Sequence, residues 1–382
     1  MTHISQEFID VLRQRYRHAT RKERSAILDV FVEATGSNRK YAIAVLTGKR
    51  RQKKGSTSRR RERVYGEEEV AALLVLSDLF DGICSRRLRA AVDVELPRLY
   101  FGGEISMSPR CFKNLTRISP ATMDRLLQGR RAQLVKSRGH TKPGTLLKHQ
   151  IPIRTWAEWT ENRPGFCEMD LVDHSGGRVI PGADHAWTLC FTDVHTGWTE
   201  CVAVRNKAQV HVFDAIKRAR NRLPFPLLGV DSDNGSEFIN DQLVRYCRAE
   251  QITFTRGRAR RKNDSSYVEQ KNWSVVRRVA GYLRYDTSEQ LDLLNRIYLS
   301  IHYHGNFFLP VMKLAFKTRV GGKVARTYDE PQTPFARVLA SADVAAEHKD
   351  ELRETYALIS LLDLRQQITG LQDALLRTLP MR

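Results

Sequence analysis

From residue 166 onward the apolar pattern of this chain stops being helical and begins to alternate, and that switch limits its fold more than any other feature. Phe166–Val172, His185–Thr192 and Gly197–Val204 are short apolar runs bounded by turn residues, as strands are. A helical stretch follows at Val210, Phe213, Ile216 and Ala219, then a strand at Leu227–Val230. Next come a helix over Glu237–Ala249, a strand at Ile252–Thr255 and a long helix over Ser266–Tyr282. Three strands in meander followed by alternating helices and strands describe a mixed five-stranded sheet flanked by helices.

Before this region the patterned stretches, residues 1–47 and 67–135, read as helix. Phe8, Ile9, Leu12 and Tyr16 share one helical face, and Ile27, Val30, Phe31 and Ala34 share another. Gly36-Ser37-Asn38 breaks the pattern before Tyr41, Ile43, Ala44 and Leu46. This layout over residues 1–48 is that of a helix-turn-helix DNA-binding unit whose last helix enters the major groove. Residues 49–66 form a basic linker carrying Lys49, Arg50, Arg51, Lys53, Lys54, Arg59, Arg60, Arg61 and Arg63. So basic a stretch cannot build a core, and its position suits it to lie along phosphates. Residues 67–150 are a second helical DNA-binding domain with its own linker at 136–148, and a Pro/Gly-rich interruption at Leu96–Met107 divides its helices. Ser119-Pro120 caps a helix that runs to Leu127. The chain is therefore multidomain, with N-terminal all-α units followed by an α/β core at 155–305 and a C-terminal basic arm and helical tail at 306–382.

The charge names the class of partner. With 63 Lys and Arg against 43 Asp and Glu, the 382-residue chain carries +20 and a pI near 9.9. An excess this large points to nucleic acid, because each phosphate contact releases condensed counterions. No apolar run reaches the length of a membrane span and no signal region opens the chain, so a cytoplasmic, nucleoid-associated protein is expected. Six scattered cysteines without a C-x-x-C pair read as reduced core residues.

Three acids sit at positions that the layout makes suspicious. Asp170 interrupts the first strand, with Asp173 as a competing candidate. Asp233 follows the fourth strand, and Glu269 opens the long helix. Each has an ordinary explanation as an edge residue, a turn former (Asp-Asn-Gly) or the acid of a Ser266-x-x-Glu269 capping box. Gathered together, they would repel one another until divalent ions intervened. Two such ions, Mg²⁺ or Mn²⁺ for oxygen-only ligands, suit in-line phosphoryl displacement.

Ser-Asp-Asn-Gly-Ser-Glu-Phe at 232–238 and Asn-Asp-x-x-x-Val-Glu-Gln-Lys-Asn at 263–272 resemble the retroviral-integrase-type catalytic core shared by bacterial insertion-sequence transposases. Thirty-five residues separate Asp233 from Glu269, the spacing common in that family. The resemblance covers roughly residues 155–305. It implies a ribonuclease-H-like fold and a catalytic, metal-binding triad of Asp170, Asp233 and Glu269. It also implies 3′-end cleavage of a mobile element followed by strand transfer into target DNA. The partners would be double-stranded DNA, as element ends and target, and further protomers, since two ends must be held together. A ribonuclease-H-like nuclease without strand transfer, or a DNA-binding regulator with a vestigial core, are the alternatives. Unlike retroviral integrases, this chain has no cysteine before Cys84 to build an N-terminal zinc domain.

Around the triad, Arg256, Arg258, Arg260, Arg261 and Lys262 form a basic loop suited to gripping phosphates, and Lys271 extends that surface along the helix. Trp273 is expected in the core, with base stacking as the other reading. His302 and His304 read as structural, since no third metal ligand accompanies them.

Overall fold

The computed structural model describes residues 6–48, 64–128, 163–177, 180, 182–233, 235, 237–257, 266–320 and 323–380. Residues 49–63, 136–148 and 258–262, on which three basic segments were expected, lie outside the described residues. The chain divides into two compact units, 1–64 and 65–382.

The first unit contains α1 (Gln6–His18), α2 (Arg21–Thr35) and α3 (Arg39–Leu46). Leu12, Leu28, Phe31, Ala42, Val45 and Leu46 close a small core among them. Thr20 and Glu23 cap α2 reciprocally, and the Asn38 side chain accepts from Tyr41 N to start α3. Arg13 ties α1 to the end of α3 by donating to the Val45 carbonyl. The outward side of α3 presents Arg39, Lys40, Tyr41 and Ile43 to solvent.

In the second unit, α4 (Glu67–Leu79), α5 (Ser85–Phe101), α6 (Pro109–Leu115) and α7 (Pro120–Leu127) form the helical block. Ser108 and Ser119 cap α6 and α7 through Cys111 N and Thr122 N, each followed by proline at the first helical position. The interruption expected at Leu96–Met107 begins later, because α5 runs through Pro97 to Phe101. Leu96 and Leu99 on either side of that proline are both buried, and their packing overrides the lost backbone bond.

The sheet comprises β1 (Phe166–Asp173), β2 (Trp187–Asp193), β3 (Thr199–Val204), β4 (Gly229–Ser232) and β5 (Thr253–Arg256), in the order β3-β2-β1-β4-β5. The first three strands are antiparallel, while β4 and β5 run parallel to β1, giving the mixed five-stranded sheet expected. Gly165 lets the chain enter β1: its φ is +112°, and a Cβ there would stand 2.6 Å from the Pro226 carbonyl. Buried Asp193 accepts from Gly165 N, Thr196 N and Thr196 Oγ1, holding the β2–β3 turn against the start of β1.

One sheet face packs on α8 (Gln209–Arg220) and α9 (Asp241–Ala249) through Met169, Leu189, Phe191, Val202, Ile216 and Leu243. The other face receives a helix made of α10 (Ser266–Lys271), a π-helical stretch (Asn272–Arg277) and α11 (Arg278–Ala280), beside α12 (Ser288–Tyr303). Val268, Val276, Leu294, Ile297 and Tyr298 fill that second layer. Beyond α12 come a second π-helical stretch (His304–Phe308), β6 (Leu314–Val320), β7 (Lys323–Tyr328), α13 (Pro334–Ala340), α14 (Ala346–Leu358) and α15 (Leu361–Arg377).

Residues 67–127 do not close a core of their own: Leu73, Leu76, Leu88 and Leu96 share one with Trp198, Phe307, Phe308, Phe335 and Ile368. Arg278 pairs with Asp81 across this junction, and His304 Nε2 bonds the Leu79 carbonyl at 2.8 Å. The helical tail packs on its own chain, with Leu371 and Leu375 buried against the α12 layer. Five of the six cysteines are buried and Cys84 is exposed, all of them free. Among the described residues, no helix is long and apolar enough to cross a membrane.

Candidate active site

Strand register brings the first two acids together. β1 and β4 run parallel, with Glu168 opposite Asp231 and Met169 opposite Ser232. One step further along each strand stand Asp170 and Asp233. Asp170 is partly buried and Asp233 opens to solvent beyond the end of β4. Burial, then the nearby charge of Asp233, pushes the Asp170 carboxyl up to about 7, with Glu269 adding a smaller push. The Asp233 carboxyl is also raised, first by burial and then by the charge of Glu237, with the bond from Gly235 N and, less strongly, the charge of Lys207 acting against both.

Each carboxylate is aimed by a specific neighbour. Asp170 Oδ1 accepts from Leu171 N at 2.8 Å, and its Oδ2 accepts from the Asn272 side-chain amide at 2.6 Å. Asp233 Oδ1 accepts from Gly235 N at 2.9 Å. A Cβ at Gly235 would lie 2.9 Å from that same Oδ1 and 2.7 Å from Glu237 Cδ, so one of the two carboxylate side chains would have to shift.

Glu269 reaches the site through the docking of its helix onto β1. Buried Glu168 Oε2 accepts from Val268 N at 2.9 Å, one residue before Glu269, and Asn272 reaches Asp170 one turn later. Two residues along a strand span about 6.6 Å, close to the rise of one helical turn, about 5.4 Å. The two acid-to-helix bonds therefore match, and they fix the helix along the strand. Glu269 itself is exposed in the first turn of α10. The π-helical stretch begins at Asn272, a departure from α geometry that recurs at functional sites.

Asp173, the competing candidate, is engaged elsewhere. It accepts from Ser175 N and Ser175 Oγ and pairs with His185 Nε2 at 2.7 Å. The basic residues expected beside the triad divide. Arg258, Arg260, Arg261 and Lys262 lie outside the described residues, as do Lys49, Arg50, Arg51, Lys53, Lys54, Arg59, Arg60 and Arg61. Arg256 is buried at the end of β5. Lys271 does not extend a basic surface: its ammonium turns inward and donates to the Gly197 carbonyl at 3.2 Å, and burial lowers it to about 8. Trp273, expected in the core, is 51% exposed, since the π-helical turn leaves it outside the packed layer. His302 and His304 have separate structural partners, Glu200 Oε1 at 2.6 Å and the Leu79 carbonyl.

Sequence reasoning missed Glu168 and Lys207, and it held Glu237 and Asn272 within the quoted motifs without giving either a role. Glu168 shares the face of Asp170 two residues earlier, and Asn272 follows Glu269 by three on a helix, so both spacings were available as signals. Among the described residues, no group of three or more His, Cys, Asp or Glu side chains closes around a point as a metal cage. What is present is a pair of carboxylates whose mutual charge and burial resist ionisation, with carboxylate oxygens as donors. That donor chemistry fits a hard divalent cation.

The mixed sheet has the strand order of a ribonuclease-H-like core and carries acids from adjacent parallel strands in a strongly basic chain. Consistent with this, the family model of the integrase core domain matches residues 161–262. The chain belongs to the same family as the uncharacterized protein y4rM of Sinorhizobium fredii (strain NBRC 101917 / NGR234). The two are 39% identical over 335 residues, which cover 87% of this chain and 94% of that protein. Among solved structures, the catalytic core domain of BIV integrase aligns with 49% of this chain and 98% of its own, at 17% identity and a TM-score of 0.32. The HTLV-2 integrase catalytic core in complex with magnesium aligns with 39% of this chain and 90% of its own, at 14% identity and a TM-score of 0.29.

Proposed function

We propose that this protein is a DNA transposase that cleaves the 3′ ends of a mobile element and joins them to target DNA. The observation that carries this reading is the convergence of Asp170 and Asp233 from neighbouring parallel strands, with the Asp170 carboxyl pushed up to about 7. Crowded acids with raised pKa values mark a functional site, and the basic chain around them favours a polyanionic substrate. Asp170, Asp233 and Glu269 would hold the metal, Mg²⁺ or Mn²⁺, as two ions. Metal so bound would supply activation of the attacking oxygen and stabilisation of the leaving oxygen.

The chain's own groups do the positioning. Asn272 and Leu171 N orient the two oxygens of Asp170, Gly235 N orients Asp233, and Glu168 sets the start of the helix that carries Glu269. The first unit acts as a helix-turn-helix that reads double-stranded DNA with α3, through Arg39, Lys40 and Tyr41. The basic residues at 49–61 and 258–262 grip phosphate on this reading. Two element ends call for at least two protomers.

The test is an oligonucleotide bearing the element's end with a free 3′-hydroxyl, incubated with supercoiled plasmid and Mg²⁺. Joined product that disappears with Asp233→Asn supports strand transfer. Cleavage without any joining would instead assign a nuclease, and neither reaction would leave a DNA-binding regulator.

A further inference from the structure

The helix that carries Glu269 leaves one strip of its surface open. Over residues 268–280, Glu269, Gln270 and Trp273 are exposed, and every other side chain is buried or half-buried. Val268, Val276 and Ala280 belong to the packed layer, and Asn272 is held to Asp170. The strip therefore begins at an acid of the site and ends, four residues on, at an indole. Residues four apart on a helix share a face, with their Cβ atoms about 5 to 6 Å apart. Trp273 is 51% exposed, whereas Trp187 and Trp198 are 7% and 1% exposed. Single apolar side chains on a surface are ordinary. This one is set apart by its place, because the residue before it is the one that aims Asp170.

We infer that Trp273 is a substrate-binding residue whose indole stacks on an unpaired DNA base beside the phosphodiester that reacts. Successive nucleotides rise about 3.4 Å along a strand, so the indole stands about one to two nucleotides from a phosphate seated at Asp170 and Glu269. A base inside a duplex offers a side chain only its edge, and stacking on one requires the base to leave its pair. An aromatic ring offsets that loss and does so for any base, since every base has a π-face. The occupant is a base of the substrate rather than a second copy of the chain, because a protein seated on Trp273 would also cover Glu269 and close the acids to DNA. The inference rests on the reading of this protein as an enzyme that cuts and joins DNA, and it adds a contact to the base beyond those to the backbone.

The test uses the full-length protein, Mg²⁺ and the element-end oligonucleotide. A single abasic site, or a single 2-aminopurine, is placed in turn at each nucleotide flanking the scissile phosphate. Trp273→Ala is compared with Trp273→Phe, which keeps an aromatic face. At one position, wild type and Trp273→Phe should change the 2-aminopurine emission on binding, and Trp273→Ala should not. Trp273→Ala should lower joining of the intact end by about 5- to 100-fold. An abasic site at that position should cost wild type a similar factor, and the two changes together should cost no more than either alone. Coupling to one nucleotide, with activity kept by Trp273→Phe, is not the signature of a damaged fold. Penalties that multiply at every position, or a Trp273→Ala protein as active as wild type, would overturn the stacking inference alone. A wild-type protein that neither cleaves nor joins DNA would overturn the functional reading and this inference with it. A loss in Trp273→Ala that tracks failure to self-associate in sedimentation would assign the indole to a second copy and overturn a base as its occupant.

Discussion

The Asn272 side-chain amide donates to Asp170 Oδ2 at 2.6 Å, joining the helix that carries Glu269 to the strand that carries Asp170. Asn272→Ala leaves that oxygen free to rotate away from its place. Loss of such an orienting partner typically reduces metal affinity or activity about 10- to 100-fold. Strand-transfer rate against Mg²⁺ concentration should show the loss, partly recovered at high metal, while far-UV circular dichroism stays unchanged. An unchanged metal titration would remove Asn272 from the site.

Asp173→Asn and Asp170→Asn should separate the two candidates on β1. Asp173 is committed to Ser175 and His185, so its substitution should cost stability by about 1 kcal/mol or so and spare catalysis. Asp170→Asn should abolish metal-dependent cleavage. Equal activity loss in both variants, measured at matched folded fraction, would contradict the assignment.

Gly235→Ala places a methyl group 2.9 Å from Asp233 Oδ1 and 2.7 Å from Glu237 Cδ, so one carboxylate must move. The bond from Gly235 N to Asp233 loosens with it. Cleavage should fall at least about ten-fold, since small misplacements of a reacting group are amplified in rate. Thermal melting should shift little. A fully active variant would show that Asp233 needs no such aim.

The pH dependence of metal-free stability follows from Asp170. Its folded pKa of about 7 lies above the ordinary 3.8, so between these values the folded state holds the extra proton. Stability from this group is present below the unfolded value and is lost as pH rises toward 7. Buried His174 works in the opposite direction. Burial lowers it to about 3 from 6.5, so its contribution is lost as pH falls below the unfolded value. The comparison that isolates Asp170 is wild type against Asp170→Asn in chelator. The variant should melt at nearly the same temperature near pH 4 and at a higher one near pH 8. Added Mg²⁺ should stabilise wild type alone. A difference constant with pH would place Asp170 outside a crowded site.

Much of this arrangement is legible in the residues, for identifiable reasons. The short apolar runs after residue 166 report strands because β2, β3 and β4 are buried on both faces between helical layers, and all five appear in the observed sheet. Asp233 and Glu269 stand out because short motifs surround them. Most strand ends shifted by one or two residues, as with Leu227–Val230 against the observed Gly229–Ser232, since ends depend on pairing partners distant in sequence. The choice of Asp170 over Asp173 needed the strand register and the local bonds of Asp173. Lys271 misled because a lysine beside a basic loop looks exposed, whereas the Gly197 carbonyl that receives it is remote in sequence. Pro97 looked like a break because the core that buries Leu96 and Leu99 beside it is built partly from residues distant in sequence.

The core shared by Leu73, Leu88 and Leu96 with Trp198, Phe307 and Phe335 has a practical corollary for redirecting this protein. Residues 65–127 are masonry of the catalytic body, and excising or transplanting them would open its interior to water. The chain's natural seam falls at Val64 and Tyr65. A chimera that takes a foreign recognition module up to that seam should keep a sound catalytic body. One cut at residue 150, where composition alone would have drawn the boundary, should yield aggregate.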